Sequence, residues 1–294
     1  RSSDLAAVHM ADAWARLTGE IGIALVTGGP GHANAVSALY TASMAESPVV
    51  LVSGHAPLNQ LGKGAFQEMA QADIAAPLTK ASWTCQKVED IALDTAKAIR
   101  IAKSGRPGPT HLSLPSDLLE SPVPQNALLP SGKDFEVELK SGDLNVSAIL
   151  SLLMTSKKPL LLVGPMMLSK SGRKQLLQLE EALNIPVIGM ESPRGIGDPS
   201  LGAFSEVLSQ ADCILLLGKK LDFTLKFGNS PGINPECNFL QIDPEENEIE
   251  RVKKAVGNRL QSALICDTPT AINKLITAKS VKHSNPGNWL EEVH

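Results

Sequence analysis

The chain has 294 residues, of which 43% are hydrophobic and 20% charged, with a formal net charge of −4 at pH 7. That is the composition of a soluble globular protein long enough for two cores. Its scattered lysines and arginines argue against a nucleic-acid-binding face, and the run of about 18 apolar residues that a membrane span needs is absent.

The first residue is Arg1, with no targeting segment ahead of the first helix-like stretch. The N-terminus is therefore read as processed or missing, and the compartment as cytoplasmic or an unknown organelle. Cys85, Cys213, Cys237 and Cys266 are far apart and form no C-x-x-C pair, so reduced thiols are expected rather than a zinc site or a disulfide framework. Strand-like and helix-like segments alternate along the chain. Residues 21–27 form an apolar run that stops at Gly28-Gly29-Pro30-Gly31, and helical spacing follows over 32–45. A second apolar run covers 48–53, a helix 91–102 and a strand 109–114. Residues 118–144, with Pro122, Pro124, Pro130, Gly132 and Gly142, read as an interdomain linker. The alternation resumes with strands at 159–163, 186–189, 212–217 and 238–242 and a helix at 172–183. The polar tail 280–294 reads as the start of a further linker. Short buried strands separated by helices predict an α/β protein of two doubly wound parallel-sheet domains, 1–117 and 145–279.

The segment Val26-Thr27-Gly28-Gly29-Pro30-Gly31-His32-Ala33-Asn34 places a strand, a glycine-rich turn and a helix start in order. Glycine allows close backbone approach to a ligand, and the first turn of a helix offers free N–H groups. A tight strand-to-helix turn with no ligand is the plain alternative. The dinucleotide fingerprint G-x-G-x-x-G is missing, which disfavours a Rossmann NAD site. His9, His32 and His55 are acid–base candidates by residue type alone.

Two further stretches flank this turn: Ala11-Asp12-Ala13-Trp14-Ala15-Arg16-Leu17-Thr18-Gly19 before it, and Gly64-Ala65-Phe66-Gln67-Glu68 with Thr79-Lys80 after it. Gly105-Arg106-Pro107-Gly108-Pro109 and Leu114-Pro115-Ser116-Asp117 follow, then Lys157-Lys158-Pro159, Ala211-Asp212, Gly218-Lys219-Lys220-Leu221-Asp222 and Gln241-Ile242-Asp243-Pro244. In order and spacing the chain resembles the thiamine-diphosphate-dependent enzymes of the acetolactate synthase and 2-hydroxyacyl-CoA lyase superfamily. These share A-(D/E)-G-Y-A-R-x-T-G, T-S-G-P-G-x-x-N, A-F-Q-E, T-K, G-R-P-G-P-V and I-P-x-D. Trp14 stands in place of the usual tyrosine and Gly28 in place of the usual serine. The resemblance covers residues 4–280 or so. It implies an N-terminally incomplete pyrimidine-binding domain and a central nucleotide-binding-like domain.

The resemblance also assigns roles. In the family a glutamate bonds N1′ of the aminopyrimidine and favours the tautomer that removes the thiazolium C2 proton, after which the cofactor acts as an electron sink. That position falls on Asp4, one methylene shorter, although Ser2-Ser3-Asp4 is also a plain helix start. Gly29, Pro30, Gly31 and Asn34 would lie beside the pyrimidine ring, and Phe66 and Gln67 on the substrate side. In the central domain Arg194, Lys219, Lys220 and Asp243 are candidates for contacts to FAD or ADP, against the plain alternatives of surface lysines and a turn-forming aspartate; Lys220 stands where relatives often have arginine. The family's G-D-G and later N, which hold Mg²⁺ and the diphosphate, are not found, so no metal ligand is assigned. The implied parent acts on a 2-keto acid or 2-hydroxyacyl substrate as a homodimer or homotetramer, with active sites shared between subunits, so this portion alone is expected to be inactive. The broad reading is an acetolactate synthase-like carboligase or lyase. Ala65-Phe66-Gln67-Glu68 and Gly218-Lys219-Lys220-Leu221-Asp222-Phe223 with Phe227-Gly228 also resemble 2-hydroxyacyl-CoA and oxalyl-CoA lyases, the alternative, and the missing R-F-D-D-R segment of FAD-binding biosynthetic synthases tilts the reading toward a non-biosynthetic paralogue. A non-catalytic nucleotide-binding paralogue is the alternative from another class. An incomplete first sheet is also expected to leave an apolar face or edge exposed.

Overall fold

The structure, a computed structural model, describes residues 3–137, 139, 145–191, 194–278, 282–284 and 286–294. It divides into two compact units, Arg1–Glu138 and Leu139–His294. The first is built on a four-stranded sheet of β1 (Gly22–Val26), β2 (Val49–His55), β3 (Ser82–Thr84) and β4 (Thr110–Pro115), in the order β1-β2-β4-β3. All its pairings are parallel. The helices are α1 (Asp4–Thr18), α2 (Pro30–Met44), α3 (Gln71–Ala75), α4 (Ile91–Lys103), α5 (Ser116–Glu120) and α6 (Gly132–Phe135).

Local chemistry sets the ends of these elements. Ser3 caps α1, its Oγ accepting the Ala6 N–H at 3.3 Å, and Gly19 closes the helix in the left-handed region at φ 77°. Pro30 opens α2 at a position where its missing N–H costs nothing. Small residues on α1 and α2, among them Ala11, Ala35, Ala38 and Ala42, let both helices lie close on one sheet face with Ala24, Val26, Val49 and Leu51. Helix α4 covers the other face through Ala98 and Ala102 against Val50. On edge strand β1 the alternate residues Ile23 and Leu25 stand 56% and 73% exposed. This is the apolar edge that the sequence led us to expect.

The second unit carries a five-stranded parallel sheet of β5 (Pro159–Val163), β6 (Val187–Gly189), β7 (Cys213–Leu217), β8 (Asn238–Asp243) and β9 (Leu260–Ile265), in the order β6-β5-β7-β8-β9. Strands β5 and β7 are buried along their whole length, as central strands of a covered parallel sheet must be. Its helices are α7 (Ser147–Thr155), α8 (Lys170–Leu183), α9 (Phe204–Gln210), α10 (Glu246–Val256), α11 (Thr268–Thr277) and α12 (Trp289–Val293). One face is packed by Ile149, Leu153, Leu179, Leu183, Ile272 and Leu275. The other is packed by Phe204, Leu208, Val252 and Trp289.

The sequence reading needs correction at both ends of this unit. Residues 280–294, expected to begin a linker, pack into the unit where they are described. Trp289 is buried and its Nε1–H donates to the Pro159 carbonyl at 2.8 Å; buried His283 pairs through Nε2 with the Ser156 carbonyl at 2.7 Å. An indole buries a large apolar area, and here its polar tip finds a partner. The expected linker at 118–144 takes in the end of α5 and all of α6 in its described part, and Arg100 on α4 donates to the Asp134 carbonyl of α6 at 2.8 Å. Its remainder, 138 and 140–144, lies outside the described residues. Among those described, no helix is long and apolar enough to cross a membrane.

Candidate functional site

In the first unit, the C-terminal ends of β1, β2 and β4 come together around a cavity of about 460 Å³ lined by Asp4, Leu25, Thr27, Val52, Gly54 and Leu114. The β1 exit runs Thr27-Gly28-Gly29 into α2. Gly28 lies so close to β2 that a Cβ there would sit 2.7 Å from the Gly54 carbonyl oxygen. Gly29 adopts φ 59° and ψ −114°, a conformation open to glycine. A Cβ on it would also meet the Gln67 Cβ at 2.9 Å. The turn is therefore glycine both for its backbone angles and for the residue stacked on it.

Asp4 starts α1 and faces the same turn. Its Oδ2 accepts from Asn34 Nδ2 at 3.3 Å, and a Cβ on Gly31 would come within 3.3 Å of its Oδ1. The structure thus brings Asp4, Gly29, Pro30, Gly31, Asn34 and Gln67 into one neighbourhood from three segments far apart in sequence. Phe66 projects outward, 85% exposed, from a small loop that Glu68 closes. The Glu68 carboxylate accepts the backbone N–H groups of Gly62 at 2.5 Å and Ala65 at 3.0 Å, and these bonds hold its pKa below the ordinary carboxylate value.

The histidines separate by environment. His9 is exposed on α1. His55 is half-buried and pairs through its ring with the Ala56 and Met69 carbonyls. His32 is fully buried on α2, its Nδ1 2.8 Å from Ser53 Oγ. Burial lowers its pKa, with a contact to the Gln71 backbone working the other way. Lys80 donates to the Ser104 and Arg106 carbonyls, which makes it a tie between segments rather than a solvated cation.

In the second unit the strand order changes direction at β5 and β7. In open α/β sheets, ligands collect beyond the strand ends at such a point. Gly164 and Gly218 leave these two strands in backbone contact: a Cβ on Gly164 would sit 2.1 Å from the Gly218 carbonyl oxygen. Lys219, expected as a phosphate contact, is instead buried and turned inward. Its Nζ donates to Thr224 Oγ1 at 2.8 Å and lies 3.4 Å from Asp222 Oδ1. A lysine buried without such partners would be costly, and these contacts stabilise the loop that follows β7. Asp243 is also buried and its Oδ1 accepts the Glu245 N–H at 2.9 Å, a turn-forming bond. Lys220 is half-buried and Arg194 exposed. Arg194 precedes Gly195, whose Cβ would meet the Thr224 carbonyl at 2.1 Å, so its loop lies against the Lys219–Thr224 loop. Beside it a cavity of about 290 Å³ is lined by Arg173, Met190, Glu191, Asp198 and Ser200.

Sequence reading missed Gln71, Ser113 and His111. All three are fully buried polar residues whose bonds converge behind the Gly29 turn. Their partners are 42 residues apart or lie across the sheet, so no local pattern announces them. Among the described residues, no group of three or more His, Cys, Asp or Glu side chains is placed to hold a metal ion.

Comparison with known proteins agrees with this geometry. Residues 2–74 match the family described as thiamine pyrophosphate enzyme, N-terminal TPP binding domain, and residues 146–268 match the thiamine pyrophosphate enzyme, central domain. The acetolactate synthase large subunit of Haemophilus influenzae is 39% identical over 265 residues, covering 84% of this chain and 45% of that protein. The acetolactate synthase isozyme 3 large subunit of Escherichia coli is 38% identical over 265 residues, covering 85% and 46%. The 2-hydroxyacyl-CoA lyase 2 of Caenorhabditis elegans is 28% identical over 330 residues, covering 99% and 51%. The chain spans about half the length of the curated relatives it matches. With a glycine turn at the mouth of one parallel sheet and a second doubly wound unit after it, this chain belongs to the thiamine pyrophosphate enzymes and carries their N-terminal and central domains.

Proposed function

We propose that this chain is the pyrimidine-binding and central part of a thiamine-diphosphate-dependent carboligase or lyase, acetolactate synthase-like, that makes or breaks a C–C bond next to a carbonyl. The first domain centres on residues 1–117, with α6 tied to it through Arg100, and the second on residues 145–279, with the described part of the 280–294 tail packed into it. The observation that carries the reading is the meeting of the Asp4 carboxylate with the Gly29-Pro30-Gly31 turn at one cavity on the strand ends. A carboxylate, a flat glycine backbone and the walls Leu25, Val52 and Leu114 suit an aromatic ring with one polar edge. Thiamine diphosphate, when bound, supplies the electron sink for cleaving or forming the C–C bond. Asp4 holds the proton at the pyrimidine N1′, and Asn34, bonded to Asp4, fixes the direction of the carboxylate. Gly29, Pro30 and Gly31 leave room for the ring plane. Gln67, stacked over Gly29, and exposed Phe66 face the substrate, a 2-keto acid or a 2-hydroxyacyl compound. Mg²⁺ would join the diphosphate outside this cavity, where these side chains provide no ligand set.

The test is turnover of a 2-keto acid by the intact protein with thiamine diphosphate and Mg²⁺. Carboligation that requires the cofactor supports the reading, and turnover indifferent to it refutes the reading. A 2-hydroxyacyl-CoA lyase is the second reading. It is supported by the C. elegans relative, 28% identical over 99% of this chain, beside acetolactate synthase relatives that align over 98%. Cleavage of a 2-hydroxyacyl-CoA by the same preparation separates the two.

The central unit is proposed to hold FAD or ADP at the β5–β7 strand ends, with Lys220 and Arg194 facing the phosphates. Lys219 and Asp243 then act by shaping the loops. If catalysis were absent, this nucleotide site would be the remaining function. Assembly as a homodimer or homotetramer is supported by apolar residues exposed at helical spacing, Met10, Trp14 and Leu17 on α1 and Tyr40 and Met44 on α2. Sedimentation of the intact protein tests it. Four unpaired buried cysteines favour a reducing compartment, the cytoplasm or an organelle.

A further inference from the structure

The side-chain amide of Gln71 joins three strand exits. Its Oε1 accepts the Gly29 N–H at 2.6 Å, and its Nε2 donates to the Gly54 carbonyl at 3.0 Å and to Ser113 Oγ at 2.9 Å. Gly29 follows β1, Gly54 lies on β2 and Ser113 on β4, and Gln71 itself is fully buried. Behind the amide the donors run in one direction. Ser82 Oγ donates to the Ala72 carbonyl at 2.8 Å, so it accepts from His111 Nδ1, also at 2.8 Å. His111 Nε2 is then the acceptor of a neutral ring. It takes a hydroxyl proton from Ser53 at 3.0 Å or Ser113 at 3.3 Å. Burial lowers the His111 pKa to about 3, which keeps that ring neutral. The polar path leaves α3 through the Gln71 side chain and returns to the same helix at the Ala72 backbone.

Strands β1, β2 and β4 are already joined by their own backbone ladders. The Gln71 amide adds something the ladders do not reach: it answers the buried N–H of Gly29, in the turn that faces Asp4. We propose that Gln71, braced by Ser113 and His111, is a positioning residue that sets the Gly29-Pro30-Gly31 turn against the aminopyrimidine of thiamine diphosphate. The inference rests on the cofactor reading given above.

The experiment titrates thiamine diphosphate with Mg²⁺ into the intact protein by calorimetry, well below the melting midpoint. It compares wild type, Gln71→Leu and Ser113→Ala. Leucine keeps the volume but leaves the Gly29 N–H and Gly54 carbonyl unanswered, and is expected to raise Kd about tenfold. Ser113→Ala leaves both of those bonds in place and removes only the brace, with an expected rise of about threefold. At saturating cofactor, exchange of its C2 proton for deuterium, followed by NMR, slows in Gln71→Leu. A purely structural role would lower the melting midpoint and leave Kd and exchange unchanged, and that result overturns the proposal. Should Gln71→Leu fail to fold, a wild-type Kd in Ser113→Ala overturns it alone. A wild type that binds no thiamine diphosphate overturns the cofactor reading together with this inference; binding that neither variant alters overturns only this inference.

Discussion

Asp4 is where chemistry and helix architecture compete for one side chain. It lies in the first turn of α1, where a negative charge is favoured by about 0.3–1 kcal/mol through the helix dipole. Capping, however, is done by Ser3. The Asp4 carboxylate is therefore not needed to start the helix, and it points instead to Asn34 and Gly31. Asp4→Ala in the intact protein is expected to lower cofactor-dependent turnover about a hundredfold or more while leaving the unfolding midpoint nearly unchanged. Asp4→Glu is expected to keep at least the wild-type rate, because the added methylene extends the same group toward the cavity. Full activity in Asp4→Ala would reduce the residue to a helix-start role. His111 supplies a second residue-scale prediction. Burial, together with the neighbouring His32 and His55, lowers its pKa from 6.5 to about 3. Between those values the unfolded chain binds a proton that the folded chain refuses, so stability is full above about pH 6.5 and falls as the pH drops toward 3. Urea midpoints at pH 7 and pH 5 should therefore differ more in wild type than in His111→Asn. Equal differences would place the acid sensitivity elsewhere.

At the scale of elements, the tail is the test of packing. Helix α12 has five residues, too few to stand alone in water, yet Trp289 within it is among the largest fully buried side chains of the chain. It belongs to the same core cluster as Phe204 and Leu208, and its indole N–H answers the carbonyl that opens β5. Trp289→Ala is expected to cost about 3–5 kcal/mol, read as a lowered urea midpoint at unchanged slope. A loss under 1 kcal/mol or so would mean that the tail merely rests on the unit. This is also the element the sequence reading took for a linker. The long strands and helices were legible because their signals are local: apolar runs such as Leu160–Val163, and glycine or proline at the strand exits. Strand β3 has three half-buried residues, and the outer strand β9 alternates only weakly, so neither shows the continuous run of a central strand. The site divides the same way. The Gly29 turn and the Asp4 position follow from motif spacing, whereas Gln71, Ser113 and His111 are specified by contacts across the sheet. The burial of Lys219 was not legible because its sequence neighbourhood looks like a surface, while Asp222 and Thr224 hold its ammonium group inside.

Across the whole molecule, every hydrophobic cluster among the described residues lies within one of the two units. The cysteines sample both: Cys85 is in the first, and Cys213, Cys237 and Cys266 are in the second. Burial pushes all four thiols up, Cys237 to about 12 and the others to about 11. Only the thiolate reacts with disulfide reagents, so at pH 8 the folded chain offers little nucleophile, and each sulfur is also shielded by its core. An aromatic disulfide reagent should therefore label none of them rapidly in buffer and all of them once the chain is unfolded. At intermediate urea the thiols become clocks for local opening, since each reacts only while its own core is open. With separate cores, Cys85 should react in one kinetic phase and the other three in another, resolved by mass spectrometry of quenched samples. Reaction of all four in a single phase across the urea range would show instead that the two cores open together.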